Sequence, residues 1–498
     1  RRRQCSACGA ALPLQEFPRI RDGVHRRQCR PCFNASRRKG GAKSAPFNSS
    51  YVVTWAQNAT PINKPFLESL KRYCAFNGST LLVLPGRYRN PTSQWTEENK
   101  DHEWWAPELA PYLFSGRRRV AGHAFIYGDV PVQSTASKPL SGFERFTGPA
   151  SAIFGHPRLQ LRTIPIARRK YPRILTTTGA VTVRNYTSSK AGKLGASHHV
   201  FGAAIVEEGS NCCHIRQINA TEDGSFIDLS HEYCPDGVYE APPAKLAVLG
   251  DIHDYVRDEE VLQATLGPGG ILDTLRPPEV YLHDLLHVGR HSRHSYGDFI
   301  IKYDCEVDAD RHLDPEVDQA IDFVDHRIPS WCTPYVVAAN HDEALDWWLR
   351  HADFRSDPAN ARFFVDTWSL LLRRREAEGA WTPAFRALYE ERSTKRRAVF
   401  LGRNEEHRVG DIYLNFHGDK GLNGSRGSSQ AYSKLGVKTI IGHSHNPEII
   451  DGCYVVGVTG KLDQGYNDLP SAWMHSHCVV YANGKRCLIN ILDGEWHG

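Results

Sequence analysis

Histidines 443 and 445 close an apolar run, KTIIGHSHNPEII over residues 438–450. Residues i and i+2 at a strand end project to one side with Cα atoms about 6.6 Å apart. A polar turn after a strand accounts for such a pair in isolation. The spacing also suits one imidazole on each of two cations roughly 3.5 to 4 Å apart, and that reading requires further ligands elsewhere. Four more apolar runs end in ligand types. LAVLGDIHDYV carries Asp251 and His253, and EVYLHDLLHVGRH carries Asp284, then His287, Arg290 and His291. PYVVAANHDEA carries Asn340, His341 and Asp342, and DIYLNFHGDKG carries His417. Oxygen and imidazole donors without cysteine suit Mn²⁺ foremost, with Fe²⁺ or Zn²⁺ as alternatives.

Each of these runs reads as a strand, so the ligands sit where strands end. In an α/β fold the carboxyl ends of strands are where sites assemble, which lets residues nearly 200 positions apart meet. About 70 residues between Asp342 and His417 show apolar residues at helical spacing, a helical insertion placed at 343–408. Thr382 and Pro383 supply a cap and first turn there. Trp347, Trp348 and Trp368 serve its core or a homo-oligomer contact. Lys420 and Arg426 in the Gly-rich loop after His417 bring cations near the cluster.

The order D-x-H, D, N-H-[D/E], H, G-H-x-H resembles the calcineurin-like metallophosphoesterases over residues 244–498. The resemblance implies a β-sandwich flanked by helices and a phosphoester-cleaving centre of two divalent ions. Asp251, His253 and His445 would hold one ion, Asn340, His417 and His443 the other, and Asp284 would bridge them. It further implies a metal-bound hydroxide as nucleophile and His341, beside Asp342, as the group that protonates the leaving oxygen. Arg290 and His287 or His291 are placed to grip non-bridging oxygens, or to serve the surface. The family's second motif has Gly before the bridging Asp, whereas His283 stands here; Asp298 in SYGDF is the substitute if the turn differs.

The rest of the chain divides by composition. Residues 1–44 hold 12 Lys or Arg against 2 acids, leaving 49 basic and 54 acidic residues in the remainder of a chain whose net charge is +5. That module contains two CxxC pairs, Cys5 with Cys8 and Cys29 with Cys32. They suit a closed Cys₄ cage around one structural Zn²⁺, with disulfides as the rival. A short basic ribbon on a mildly acidic body suits polyanion anchoring, DNA before RNA. The Gly/Ser/Pro-containing stretch up to Ser50 reads as a linker, with 45–50 as its end. Residues 51–240 read as a middle α/β to mainly β domain. YVVTWAQ and TLLVLPG are its strands, and NKPFLESLKRYCAFNG is a helix with Phe66, Leu67, Leu70, Tyr73 and Cys74 on one face and Gly78 as its stop. His198 and His199 there read as core or turn residues, and IARRKYPR, with Arg168, Arg169, Lys170 and Tyr171, as a phosphate-following stretch or a solvated loop.

The expected architecture is thus a multidomain α/β protein: zinc ribbon, middle domain, metallophosphoesterase domain. At 41% apolar residues and without an apolar run of about 20, it reads as no membrane protein. The nine cysteines outside the ribbon fit free thiols in a reducing, intracellular setting. The HGDKG and GHSHNPEI segments resemble metallophosphoesterase nucleases of bacterial viruses, which implies a phage-infected host cell. The expected activity is cleavage of DNA backbone phosphodiesters. A phosphatase or phosphodiesterase for proteins or small molecules, and a non-catalytic nucleic-acid-binding protein, are the alternatives.

Overall fold

A computed structural model describes residues 50–93, 104–120, 124–166, 171–209, 213–289, 291–293, 295–307, 312–465, 467 and 470–497, with short stretches at 2–4, 11–13, 19–21 and 24–25. Cys5, Cys8, Cys29, Cys32, Arg290 and Arg168 to Lys170 lie outside the described residues, and so does the expected linker up to residue 49. Two compact units are present, Arg1–Asn48 and Ser49–Gly498. In the first, Arg2–Gln4 pairs with Ala11–Pro13 and Arg19–Arg21 with Val24–His25, both antiparallel.

The second unit is a mixed α/β structure whose strands run where the apolar runs predicted. Leu246–Val248, Glu279–Leu282, Thr333–Val337 and Val399–Leu401 are successive parallel neighbours; Ser476–Val480 joins Leu246–Val248 antiparallel, and Arg486–Asn490, antiparallel to Ser476–Val480, completes a six-stranded sheet. Alternation along Leu246–Val248 sends Ala247 to one side and Leu246 and Val248 to the other. Ala247, Val280 and Val336 pack against helices through Leu262, Leu345 and Leu388. Leu246, Val248, Tyr281 and Val337 pack instead with Ile412, Ile440 and Tyr454 of a second sheet. The result is a sandwich with the longer helices outside the first sheet and a short one, Ser429–Ser433, set on the second through Tyr432.

That second sheet has ten strands and crosses the boundary expected near 240. Arg408–Val409, Ile412–Tyr413, Lys438–Ile441, Cys453–Val455 and Glu448–Ile450 form one half, in that order. Leu161–Ile164 then pairs antiparallel with Glu448–Ile450, and Arg173–Thr177, Ser151–Phe154, Ala124–Tyr127 and Arg117–Val120 follow outward. The stretch read from sequence as a separate middle domain is therefore continuous, strand by strand, with the stretch bearing the ligands.

Its first elements follow from local chemistry. Asn63 accepts the Phe66 amide as a cap, Pro65 occupies the first turn, and Gly78 closes helix Lys64–Asn77 at φ 66°. Ser50–Gln57 and Thr80–Gly86 flank that helix as parallel neighbours in a four-stranded sheet with Gly202–Glu208 and Cys213–Asn219. The expected helical insertion forms Asn340–His351, Ala361–Glu378 and Ala384–Arg392. Its last helix is capped differently from the expectation. Pro383 stands at the N-cap, Asp346 accepts the Ala384 amide at 3.1 Å, and Thr382 turns to Glu378. Trp348 is fully buried, and the Trp368 indole donates to the Leu349 carbonyl at 3.0 Å, so both serve the core. Cys74, Cys234, Cys332, Cys453, Cys478 and Cys487 are free thiols. No helix among the described residues is long and apolar enough to cross a membrane.

Candidate metal centre

Each ligand-bearing strand stops short of the site and hands over to a tight turn. His253, Asp284, His443 and His445 all have positive φ, at 44°, 45°, 71° and 57°. The left-handed region costs a non-glycine residue on the order of 1 kcal/mol or more, so four such residues around one point mark a geometry enforced by their surroundings. Backbone ties supply the enforcement. The amides of Ile252, His253 and Asp254 donate to the carbonyls of His283, Asp284 and Leu285, locking the first two turns together. The Asp251 carboxylate accepts the His443 amide at 2.8 Å, which locks the facing sheet to the first turn. Gly442 is required for that closeness, because a Cβ there would lie 2.1 Å from Asp251 Oδ1.

Among the described residues the side chains meet in four overlapping groups, two of which consist of expected ligands alone. Asp251, His253, Asp284 and His445 present ligand atoms all within 4.8 Å of one another, and so do Asp284, His417 and His443. His445 Nε2 lies 3.0 Å from Asp251 Oδ2 and 3.2 Å from His253 Nε2. His417 Nε2 lies 3.0 Å from Asp284 Oδ2. Asn340 Oδ1 is 2.9 Å from both His417 Nε2 and His443 Nδ1. All seven residues expected as ligands are brought together, with Asp284 in both groups. The donor set is oxygen and imidazole, and Asp251 Oδ1, fully buried, has no hydrogen-bond partner. Buried carboxylates facing converging ring nitrogens fit a pair of divalent cations.

The electrostatics agree with such a use. Burial works against ionising Asp284, yet His417 and His341 hold its carboxyl well below the usual range. Asp251 is likewise lowered against its burial by His417 and His445. Burial pushes His253 well down, with His341 and His445 adding to it, so its ring is a neutral donor. His417, despite burial, is pushed up to about 9 by Asp284 and Asp251. Two carboxylates thus remain charged in a dry site that attracts positive charge.

The remaining candidates separate. His341 lies at the start of helix Asn340–His351; its amide donates to Asp284 Oδ1 at 2.9 Å and its Nδ1 to the His287 carbonyl at 2.5 Å, leaving Nε2 for chemistry. The ring of His287 packs 5.4 Å from that of His253 and 5.8 Å from that of His341. Asp342 turns away from the cage. Its Oδ1 accepts the Leu286 amide at 2.9 Å, and burial followed by Asp284 raises its carboxyl well above the usual range. His291 contacts Asn360 at 3.1 Å and the edge of Trp348, a packing role. Asp298 caps the exposed helix Phe299–Val307 through the Ile300 amide and stays outside the cage.

Neither family models nor solved structures match this chain. It is 32% identical over 466 residues to Protein A1 of Escherichia phage T5, an alignment covering 90% of this chain and 82% of that protein. The chain belongs to the Protein A1 family.

In this Protein A1 relative the sequence left several supporting residues unread. His283 is fully buried with Nδ1 3.2 Å from His417 Nδ1, and the Glu316 carboxylate accepts the amides of His287 and Val288 at 2.7 Å. Trp473 sets its ring edge-on to His445, 4.2 Å between centroids. Only the HD dipeptide at 283–284 carried a signal, as a departure from the family pattern. Arg403 had none. Its guanidinium grips both Asp419 oxygens, at 2.6 and 2.9 Å, and the Glu343 carboxylate, one contact being 3.0 Å. Asp419 is two residues from His417 and Glu343 three from Asn340, so Arg403 fixes two ligand carriers to each other. Arg403→Ala is expected to weaken manganese binding by about 10- to 100-fold, the usual cost of losing a group that orients ligands, as read by manganese titration.

Proposed function

We propose that this chain is a two-metal phosphodiesterase whose substrate is a nucleic acid backbone, DNA above RNA. The supporting observation is the pair of oxygen–imidazole groups sharing Asp284. Two divalent ions held by Asp251, His253, Asp284, Asn340, His417, His443 and His445, manganese foremost, would acidify a water and neutralise charge on the attacking and leaving oxygens. The chain's own residues supply the rest. His341, its Nδ1 proton committed to the His287 carbonyl, presents Nε2 to the leaving oxygen and can deliver a proton there. The N-terminus of helix Asn340–His351 points its positive dipole end at the same region and favours a phosphate. The walls are buried, which strengthens each of these interactions.

The nucleic-acid choice rests on the module at residues 1–44, with 12 basic against 2 acidic residues. The test is cleavage of linear and circular DNA by the full chain with Mn²⁺, Mg²⁺ or chelator, beside His341→Ala. Manganese-dependent cutting that falls about 10²- to 10⁴-fold in the variant is expected. Hydrolysis of a small p-nitrophenyl diester without any cutting of DNA or RNA would sink the nucleic-acid reading and favour a small-molecule or protein phosphoester.

A further inference from the structure

The strand pairings of residues 50–219 recur in residues 246–490, which add Thr333–Val337 and Val399–Leu401 at one sheet edge. In each, a first strand runs parallel to a second, Ser50–Gln57 with Thr80–Gly86 and the shorter Leu246–Val248 with Glu279–Leu282. The first strand also pairs antiparallel with the leading strand of a hairpin, Gly202–Glu208 with Cys213–Asn219 and Ser476–Val480 with Arg486–Asn490. In the facing sheet an antiparallel pair, Arg117–Val120 with Ala124–Tyr127 or Arg408–Val409 with Ile412–Tyr413, runs into Ser151–Phe154 or Lys438–Ile441 as a parallel neighbour. That strand is parallel in turn to Arg173–Thr177 or Cys453–Val455, which pairs antiparallel with Leu161–Ile164 or Glu448–Ile450.

Where the halves meet, the contacts are reciprocal, as a two-fold axis demands. Leu161 pairs with Ile449 and Arg162 with Glu448. The Asn219 side chain donates to the Arg486 carbonyl at 3.4 Å, and that of Asn490 to the Ile215 carbonyl at 3.3 Å.

The repeat locates a second site. Trp55 takes the place of Asp251: Trp55 bridges Ala180 as Asp251 bridges Val458, and its carbonyl accepts the Val181 amide as that of Asp251 accepts Thr459. Gln57 then stands for His253, and Leu84, level with Trp55, for Asp284. GHPR at 155–158 follows its strand as GHSH at 442–445 follows its own, placing His156 and Arg158 where His443 and His445 stand. A Cβ on Gly155 would lie 2.6 Å from the Trp55 indole, as one on Gly442 would from Asp251. The indole fills the place of a metal cage.

Next to His156, which follows Gly155, lies a partly open pocket of about 60 Å³. It is bordered by the connections that border the metal centre in the other half: Ser134 to Ser137 after Ala124–Tyr127, His156 and Arg158, and Leu194 to His198. The Ser134 hydroxyl, 2% exposed, and the Arg158 Nε–H, also buried, have no hydrogen-bond partner. Arg158 is held by Asp451 and by the carbonyl of Ser137, itself a lining residue of the pocket. The unpaired Ser134 hydroxyl, the Arg158 guanidinium with its unpaired Nε–H, and the half-buried His198 suit the oxygens of an anion.

We propose that residues 50–219 are a metal-free second copy of the catalytic half, and that this pocket binds a phosphate group through Ser134, Arg158 and His198. The ligand class rests on the phosphodiesterase reading; the duplication does not.

The test uses manganese-loaded full chain, titrated calorimetrically with inorganic phosphate and with a 5′-phosphorylated phosphorothioate tetranucleotide. The expected result is two manganese ions per chain and a phosphate-binding event that survives Asp284→Asn. Ser134→Asp and, as the half-exposed alternative, His198→Glu should weaken that event at least about 10-fold while manganese stoichiometry stays at two. Tighter binding of the tetranucleotide assigns the pocket to a nucleic acid strand, and equal or weaker binding to free phosphate. Phosphate binding unchanged in both pocket variants, or abolished by Asp284→Asn, overturns the proposal. A chain that binds no manganese but keeps the event sinks the phosphodiesterase reading and leaves the second site standing.

Discussion

Asp284→Asn is expected to fold, to bind fewer than two manganese ions, and to lose phosphodiester cleavage by on the order of 10³-fold or more. The substitution preserves size and removes only charge. Asp284 is the one residue present in both ligand groups, with Oδ2 3.0 Å from His417 Nε2 and Oδ1 on the His341 amide. An amide there can still accept the His341 amide, so the start of helix Asn340–His351 stays in place while the shared negative charge is gone. His417 is also affected, because Asp284 is the largest influence raising it. Calorimetric manganese titration beside a cleavage assay separates the outcomes. Full stoichiometry with cleavage lost would make Asp284 a chemical participant rather than a shared ligand, and near-normal cleavage would remove the two-metal centre from the reaction.

The residues that converge were legible because their chemistry is local. Asp251, His253, Asp284, Asn340, His417, His443 and His445 each end an apolar run, and a strand end announces itself in a handful of residues. What orders them was not. The αL turns at His253, Asp284, His443 and His445 follow from ties between segments distant in sequence, such as the His443 amide on Asp251. Arg403 is an unremarkable cation until the fold puts Glu343 and Asp419 on either side of it. Asp342 shows the converse: its place beside His341 suggested chemistry, but helix geometry turns its carboxylate to the Leu286 amide.

The middle region was opaque for a different reason. Trp55, Gln57 and Leu84 are not ligand types, so nothing at these positions signals the repeat. What recurs is strand order and register, which sequence expresses only as apolar runs of similar look. GHPR and GHSH are the one echo at residue level, and an Arg in place of the second His hides it. The sheet continuity through Leu161–Ile164 and Glu448–Ile450 likewise depends on pairing between edges that no local pattern specifies.

Stability should fall steeply on acidification from pH 6.5, through buried histidines that are not among the expected ligands. Burial pushes His156 and His199 down to about 4 and His477 to about 3. Their hydrogen bonds explain why the neutral rings are wanted. His156 Nδ1 accepts the Arg158 amide at 3.0 Å and His477 Nδ1 the Gly250 amide at 2.9 Å, so protonation would set N–H against N–H. His199 is held between the Thr182 carbonyl and the Tyr186 hydroxyl, both at 2.8 Å. The folded pKa lies below the unfolded value of about 6.5, so between the two the unfolded chain carries more protons and stability rises with pH. The contribution is complete above about pH 6.5 and is lost at about 1.4 kcal/mol per pH unit for each ring as pH falls toward 4. Three rings together amount to about 6 kcal/mol at pH 5, comparable to the whole stability of an ordinary domain. Urea denaturation at pH 7.5, 6.5 and 5.5 under fixed manganese should show little change over the first interval and a marked drop over the second. Ligand protonation acts in the same direction, so attribution rests on His199→Gln, whose pH slope should be shallower than the parent's by about one ring's share. Equal slopes in parent and variant would assign the acid sensitivity to the metal centre instead.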